Sequence, residues 1–208
     1  MNVEYDLYSM GIMVGVISFL GFVLENLWLL VTKGYINNRN MTAPFLLGYG
    51  LLVVAIYVLL GIPSKTAILA ISDKRISKKL NVALYFLICM IIVSIGEILL
   101  GNIVEKLCGI EYWNYSRLPM HIGKYTSIPT SIGFAVIITF FMDNCFVPIM
   151  TTISNIPYDA RRIIAIALII VMTLDFIQSF RVMVMTRDFN CMWQIPVHSI
   201  RRFLLHNK

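Results

Sequence analysis

Charged residues are scarce in this sequence. Asp, Glu, Lys and Arg make up only 13 % of its 208 residues, whereas about 25 % is usual for a soluble globular domain. The apolar share is 59 % and the mean hydropathy is +0.81. These values exclude an ordinary soluble domain and a disordered chain. They predict a single integral membrane domain over residues 1–208, too short to carry a second folded domain.

Cysteine and histidine are few, and known catalytic motifs are missing. None of the four cysteines forms a C-x-x-C pair, and the three histidines are scattered. We therefore expect no disulfide framework, no metal site and no cofactor. The motifs G-x-x-x-x-G-K-[ST], H-E-x-x-H and G-x-S-x-G do not occur. The chain is not an ATPase by itself, and the missing motifs argue against an enzyme.

Acidic residues are outnumbered by basic ones, 11 against 17, which gives a net charge of +6. The basic residues are not interleaved with aromatic residues on one exposed face, so nucleic acid is not the expected partner. Loops that flank a bilayer with anionic headgroups explain the excess more simply. Membrane lipids are therefore the first partners that we predict.

Long apolar runs are what the sequence has in abundance. A helix that crosses the hydrocarbon core needs about 20 mostly apolar residues. The runs are continuous rather than alternating, which favours helices over strands. They predict an all-α fold, a polytopic membrane bundle of about five transmembrane helices in the cell membrane. The predicted spans are 7–31, 45–62, 80–107, 128–150 and 163–185.

The segments between the runs complete this prediction. The tail 187–208 carries Trp193 beside several arginines and is predicted to lie at the membrane interface. With five spans, the first loop, the third loop and the C-terminus share one side of the membrane. Basic residues in the second loop and in the tail favour opposite orientations, so the side is left open.

Carboxylates inside apolar runs are the first candidates for function. Glu25, Glu97 and Asp175 lie in predicted spans, where each costs roughly 2.5–3.5 kcal/mol on insertion scales. Glu105 follows two turns after Glu97 on the same helix face. These acids are either protonated, paired with a loop cation, or lining a polar cavity. A functional cavity would bind a proton, a cation or a cationic head group; the structural alternative is hydrogen bonding between helices.

The third loop is the second candidate. Trp113 and Tyr115 stand close to Arg117 in it, which fits either an aromatic belt at headgroup level or a structured lid over a ligand. The order of Glu25 and Arg39 in the first loop is echoed by Glu97 and Arg117 here. The separations are 14 and 20 residues, and we interpret this echo as coincidence.

Two stretches resemble a known family. SFLGFVLENLWLLVTKGYINNRNMTAPFLLGYG at 18–50 and IGEILLGNIVEKLCGIEYWNYSRLPMHIGKY at 95–125 resemble characteristic blocks of the ABC-transporter type IV family of small bacterial membrane proteins. The resemblance implies a permease-like subunit and one polar site on one side of the membrane. The matching positions include Gly21, Glu25, Asn38, Arg39 and Tyr49, then Glu97, Gly101, Glu105, Trp113 and Tyr115.

Three functions are consistent with these observations. The first is transport, as a permease subunit with a separate ATPase subunit; five short spans make a small path, so a homo-oligomer is also expected. The second is an intramembrane enzyme that acts on a lipid or lipid-linked substrate, with acids for proton transfer and loop cations for a phosphate. The third is a non-catalytic regulatory partner. The candidate cavity-lining residues are Glu25, Asn38, Arg39, Glu97, Glu105, Trp113, Tyr115, Arg117 and Asp175.

Overall fold

The computed structural model describes residues 5–64 and 74–197, and helices dominate it. The helices are α1 (Leu7–Lys33), α2 (Leu47–Leu60), α3 (Lys74–Cys108), α4 (Ile128–Phe140), α5 (Phe146–Ser154) and α6 (Tyr158–Thr186). A π-helical turn, Phe141–Cys145, joins α4 to α5. The short strands are β1 (Tyr35–Asn37), β2 (His121–Ile122), β3 (Thr126–Ser127) and β4 (Gln194–Pro196).

Four helical stretches in this described part are long and apolar enough to cross a membrane. They correspond to four of the five predicted runs, so the prediction of an all-α membrane bundle is confirmed. Helix α3 begins at Lys74, six residues before the predicted run 80–107, because the polar residues there continue the helix. The four stretches are Leu7–Lys33, Lys78–Cys108, Ile128–Ser154 and Tyr158–Thr186.

Helix α2 is shorter than the apolar run that predicted it. The run covers 45–62, but the helix has 14 residues, which span about 21 Å against a hydrocarbon core of about 30 Å. Gly61 ends the helix with a φ of +70°, a left-handed conformation that suits glycine at a helix C-terminus. Pro63 follows and cannot continue the helix. The apolar run therefore continues beyond the end of the helix.

The helix formed by α4, the π turn and α5 begins at a well-capped end. The Ser127 side chain accepts a hydrogen bond from the backbone N–H of Thr130, and the two residues form a capping box. Such caps fix where a helix starts. The π turn carries Asp143 and Asn144 into a largely apolar helix. Turns of this kind are frequent at functional sites.

The described residues form two compact units. We call residues 53–64 and 74–156, together with 5 and 6, the central unit, and residues 7–52 and 157–197 the terminal unit. In the central unit α3 and α4 run antiparallel, and the hydroxyls of Ser94 and Ser131 lie 2.8 Å apart. Its fully buried core includes Tyr85, Cys89, Ala135, Met142 and Phe146.

In the terminal unit, α1 and α6 lie side by side and run in the same direction. A Cβ added to Gly11 would lie 3.4 Å from the Cβ of Ala165, and one added to Gly15 would lie 3.0 Å from Leu168. The missing side chains therefore let the two helices approach closely. Beyond their C-terminal ends, β1 pairs antiparallel with β4.

Strand β4 belongs to the tail that the sequence predicts at the membrane interface. Its backbone pairing places Ile36 opposite Ile195. Trp193 is 40 % exposed and Met192 60 % exposed, as an apolar contact with the membrane surface would require. Residues 198–208 of the tail lie outside the described residues. The interfacial placement stays a prediction.

The parallel packing of α1 and α6 predicts that α2 crosses the membrane. If α1 ends on one side, α6 must begin on the other, so the chain between them crosses an odd number of times. Helix α3 and the stretch from α4 to α5 supply two crossings, which leaves the third to α2. In a cysteine-free background, an impermeant maleimide on intact cells should label only one of Thr42→Cys and Lys78→Cys. Labelling of both from one side would show that α2 does not cross.

Candidate functional site

The terminal unit contains an acid that is held by a cation and a phenol from the chain itself. The Glu25 carboxylate in α1 accepts a hydrogen bond from the Arg39 guanidinium at 2.9 Å. It accepts a second one from the Tyr49 hydroxyl at 2.5 Å. The ring of Tyr49 lies where a Cβ on Gly21 would be, one turn before Glu25. We call these four residues the first clasp.

The ion pair of Glu25 and Arg39 is largely buried. The Arg39 and Glu25 side chains are only 18 % and 23 % exposed. A carboxylate in an apolar helix needs a partner charge and hydrogen-bond donors to offset the loss of hydration. Of the three alternatives that the sequence left open for Glu25, the structure thus contains the pairing with a loop cation.

Asn38 holds the first loop from inside. Its side chain is almost fully buried, and its amide group donates hydrogen bonds to the backbone oxygens of Met41 at 2.9 Å and Asn190 at 2.8 Å. Its carbonyl oxygen accepts one from the Met192 backbone at 3.1 Å. Asn38 therefore ties the loop after α1 to the tail after α6.

Asp175 holds the same loop from α6. Its two carboxylate oxygens accept hydrogen bonds from consecutive backbone N–H groups, those of Thr42 at 2.9 Å and Ala43 at 3.0 Å. Successive backbone N–H groups form a concave site for an anion. Here the chain fills that site with its own carboxylate. Just before it, Arg39 and Asn40 have φ values of +48° and +63°, so the anchored loop is also tightly turned.

The central unit contains a second arrangement of the same composition. The Glu105 carboxylate in α3 accepts hydrogen bonds from the Lys124 ammonium at 2.5 Å and the Tyr125 hydroxyl at 2.6 Å. The ring of Tyr125 lies where a Cβ on Gly101 would be, one turn before Glu105. We call these four residues the second clasp.

The second clasp is more exposed than the first and has an additional acid. Lys124 also bonds to the Glu111 carboxylate at 2.9 Å, and its side chain is 34 % exposed. Hydrogen bonds to Glu105 and then Glu111 raise the pKa of Lys124, while the bond from Lys124, then that from Asn114, lowers the pKa of Glu111. The ammonium and the Glu111 carboxylate are therefore charged at neutral pH.

Two aromatic residues of the third loop brace the second clasp. The indole N–H of Trp113 donates to the backbone oxygen of Tyr125 at 2.8 Å, and the two rings meet edge to face. The backbone N–H of Tyr115 donates to the oxygen of Lys124 at 2.8 Å. Burial, followed by the hydrogen bond to Glu105, raises the pKa of the Tyr125 phenol, which stays protonated and can donate.

Glu97 belongs to a hydroxyl network at the start of α4. The Thr126 hydroxyl donates to its carboxylate at 2.6 Å. The same hydroxyl lies 3.0 Å from that of Ser131, which in turn accepts from Ser94. These contacts join α3 to α4 through polar groups. They resemble the hydrogen bonding between helices that the sequence leaves open for Glu97.

The two clasps repeat one arrangement, and this repeat differs from the echo in the sequence, which we interpret as coincidence. The echo matched Glu25 with Glu97, whereas the structure makes Glu105 the counterpart of Glu25. Around these residues the sequence reads LGFVLENL at 20–27 and LGNIVEKL at 100–107. The cations follow Glu25 and Glu105 at separations of 14 and 19 residues. The shared geometry, down to the ring over the glycine, argues against coincidence.

The nine predicted residues divide between the units. The terminal unit contains Glu25, Asn38, Arg39 and Asp175; the central unit contains Glu97, Glu105, Trp113, Tyr115 and Arg117. Arg117 is exposed and forms no ion pair with any described residue. That all nine line one joint site stays a prediction. Between 5 and 64 and between 74 and 197, no group of three metal-binding side chains occurs.

Sequence reasoning missed several residues of these sites. The sequence marks Tyr49 only as a position that matches the family and Lys124 only as a loop cation for a phosphate, and it gives neither of them nor Tyr125 an acid as partner. Asp143 was overlooked altogether, although a carboxylate between Met142 and Asn144 in an apolar run is itself a signal. These polar groups were all visible in the sequence, but their partners were not.

A groove of about 440 Å³ lies between α3 and α4 in the central unit. None of the nine predicted residues lines it. Its walls are apolar and its polar groups are those of Lys79, Thr139, Asp143 and Asn144. The residues that complete its lining are Val82, Ala83, Phe86, Val136 and Phe140.

Fold and sites together define an integral membrane protein of the helix-bundle class whose polar loops are tied to its long helices. The family described as "putative ABC-transporter type IV" matches residues 12–180 of the chain, and the chain belongs to this family. The match covers both clasps, and membership of this family supports a role in transport. No curated protein and no solved structure is significantly similar to the chain.

Proposed function

We propose that the chain is the membrane-embedded subunit of an ABC-type transport system in the cell membrane, working with a separate ATPase subunit. Family membership over residues 12–180 is the observation that carries this proposal. The sequence contains no G-x-x-x-x-G-K-[ST] motif, so ATP hydrolysis would have to come from another protein. Four membrane-length helices are consistent with such a subunit.

The clasps supply what such a subunit needs at its loops. Each fixes a polar loop against the C-terminal half of a long apolar helix, through a carboxylate, a cation and a phenol. The pair of Glu25 and Arg39 carries no net charge, which limits the cost of burying it. Loops held in this way offer a defined surface to a partner subunit without an ordering cost on binding.

The geometry gives less support to an intramembrane enzyme. A general acid or base must be able to exchange a proton with its substrate. Glu25 and Glu105 each accept two hydrogen bonds from the chain's own donors, and Asp175 accepts two from backbone N–H groups. These carboxylates are engaged by the fold, which favours a positioning role in a transport subunit.

Purification from native membranes in a mild detergent tests the proposal. We expect mass spectrometry to find an ATPase subunit in stoichiometric amount, and the complex to hydrolyse ATP. Glu25→Gln should weaken retention of that subunit, because it removes the negative charge that holds Arg39 and the first loop in place. The matched control is Lys33→Gln, at an exposed position at the end of α1. A chain that purifies without an ATPase subunit, or with a partner that is not an ATPase, would overturn the proposal.

A further inference from the structure

The groove of the central unit combines apolar walls with two opposite charges. Phe86 and Phe140 line it together with Lys79 and Asp143. Phe140 is 62 % exposed, so the apolar wall is open to the surroundings of the helix pair. Lys79 is the second residue of the membrane-length segment Lys78–Cys108. The charged end of the groove therefore lies near the depth of lipid headgroups.

The two charges do not neutralise each other. No ion pair joins Lys79 to Asp143 or to any other acid of the described residues. One oxygen of Asp143, Oδ1, accepts a hydrogen bond from the backbone N–H of Ser64 at 3.1 Å. Its Oδ2 accepts none from the residues described. A carboxylate and an ammonium that share a groove without meeting are suited to a ligand that carries both charges.

The π turn contributes a further acceptor. It places Asn144 in the groove beside Asp143. The Asn144 amide group donates to the backbone oxygen of Phe140 at 3.0 Å, and its carbonyl oxygen makes no hydrogen bond within the described part of the chain. Two acceptor oxygens next to each other suit a primary ammonium, which has three N–H donors.

We propose that this groove binds a zwitterionic phospholipid whose headgroup carries a primary ammonium. Its phosphate meets Lys79, its ammonium meets Asp143 and Asn144, and an acyl chain lies along Phe86 and Phe140. An anionic lipid would place its headgroup next to the Asp143 carboxylate with no ammonium to offset it. An acyl chain alone would leave both charges of the groove without a partner.

Lipid binding to the purified chain tests this assignment. The chain is stripped of lipid in detergent and titrated with phosphatidylethanolamine or phosphatidylglycerol of identical acyl chains, and occupancy is read by native mass spectrometry. We expect phosphatidylethanolamine to bind roughly tenfold more tightly, the ratio that one additional charge-assisted hydrogen bond provides. Equal affinity for the two lipids would overturn the proposal.

Variants separate the contributions of the two charges. Asp143→Asn keeps an oxygen for the Ser64 N–H and should remove the preference while leaving binding of phosphatidylglycerol intact or stronger. Lys79→Gln should weaken both lipids several-fold, because both contain the phosphate. Asp159→Asn, an exposed acid in α6, is the control and should bind as the original chain does. An unchanged preference in Asp143→Asn would refute the role of the carboxylate.

A variant that fills the groove distinguishes a loss of lipid binding from a loss of the fold. Val136 is 52 % exposed on the groove wall, so Val136→Trp adds bulk without disturbing the core. It should abolish occupancy by both lipids and leave the thermal unfolding curve of the lipid-free chain unchanged. Retained binding in this variant would place the lipid elsewhere on the protein and overturn the proposal.

Discussion

Replacing Gly21 or Gly101 by alanine is expected to destabilise the protein. The new Cβ would overlap the ring of Tyr49 or Tyr125, close to the ring's attachment point, where the side chain cannot bend away. Overpacking of this kind costs about 1–3 kcal/mol. The displaced ring would also carry its hydroxyl away from Glu25 or Glu105. We expect a lower thermal unfolding temperature in detergent and less monodisperse protein on size-exclusion chromatography, with similar losses for both variants.

Two other helical glycines are matched controls. An added Cβ would contact nothing within 4 Å at Gly96 in α3 or at Gly133 in α4. Alanine at such positions restricts the unfolded chain and is stabilising by roughly 0.5–1 kcal/mol. The same substitution should therefore have opposite signs at the clasp and control positions. If all four variants unfold alike, the packing of the rings over Gly21 and Gly101 does not contribute to stability.

Asp175→Asn is expected to release the first loop. The variant keeps one acceptor oxygen but presents an NH₂ group to a backbone N–H of Thr42 or Ala43, so one hydrogen bond becomes a clash of two donors. Bonds to a charged acceptor contribute about 1.5–3 kcal/mol. We expect a lower unfolding temperature and faster tryptic cleavage after Arg39, which is mostly buried when the loop is in place.

The control for this variant lies on the same helix. Asp159 is exposed in the first turn of α6, and Asp159→Asn should leave both stability and the cleavage after Arg39 close to those of the original chain. Arg117 is exposed in the other unit, so cleavage after it should proceed in every variant and calibrates the protease. Protection at Arg39 that survives Asp175→Asn would show that the clasp and Asn38 suffice to hold the loop.

The helices could be predicted from the sequence because their cause is local. Continuous apolar runs placed α1, α3, α6 and the stretch from α4 to α5 close to their observed bounds. The end of α2 shows the limit of this reasoning. Its apolar run extends to Ile62, but the left-handed Gly61 and the following Pro63 stop the helix earlier. The backbone conformation at these two residues, and not the extent of the apolar run, therefore sets the end of α2.

The acids of the candidate sites could be predicted from the sequence, but the residues that bind to these acids could not. Glu25, Glu97 and Asp175 stand out because carboxylates are costly in apolar helices. Glu105 stands out because it lies two turns after Glu97 on the same helix face. Tyr49 reaches Glu25 across 24 residues, and Asp175 meets Thr42 across 133. Such contacts depend on how the helices pack, which no local pattern encodes. The unequal loop lengths also hid Glu105 as the counterpart of Glu25.

The pairing of β1 with β4 has a consequence for how the chain is made. Tyr35 meets Pro196 in this ladder, so the first loop gains its final partners only after roughly 160 more residues have been added. At about 5–20 residues per second, that takes on the order of 10–30 s. The central unit, drawn mainly from one continuous stretch of chain, can assemble while synthesis continues. During that interval Glu25 in α1 can already pair with Arg39 in the loop that follows α1. This early ion pair gives the Glu25 carboxylate a partner charge in the bilayer before α6 has been synthesised.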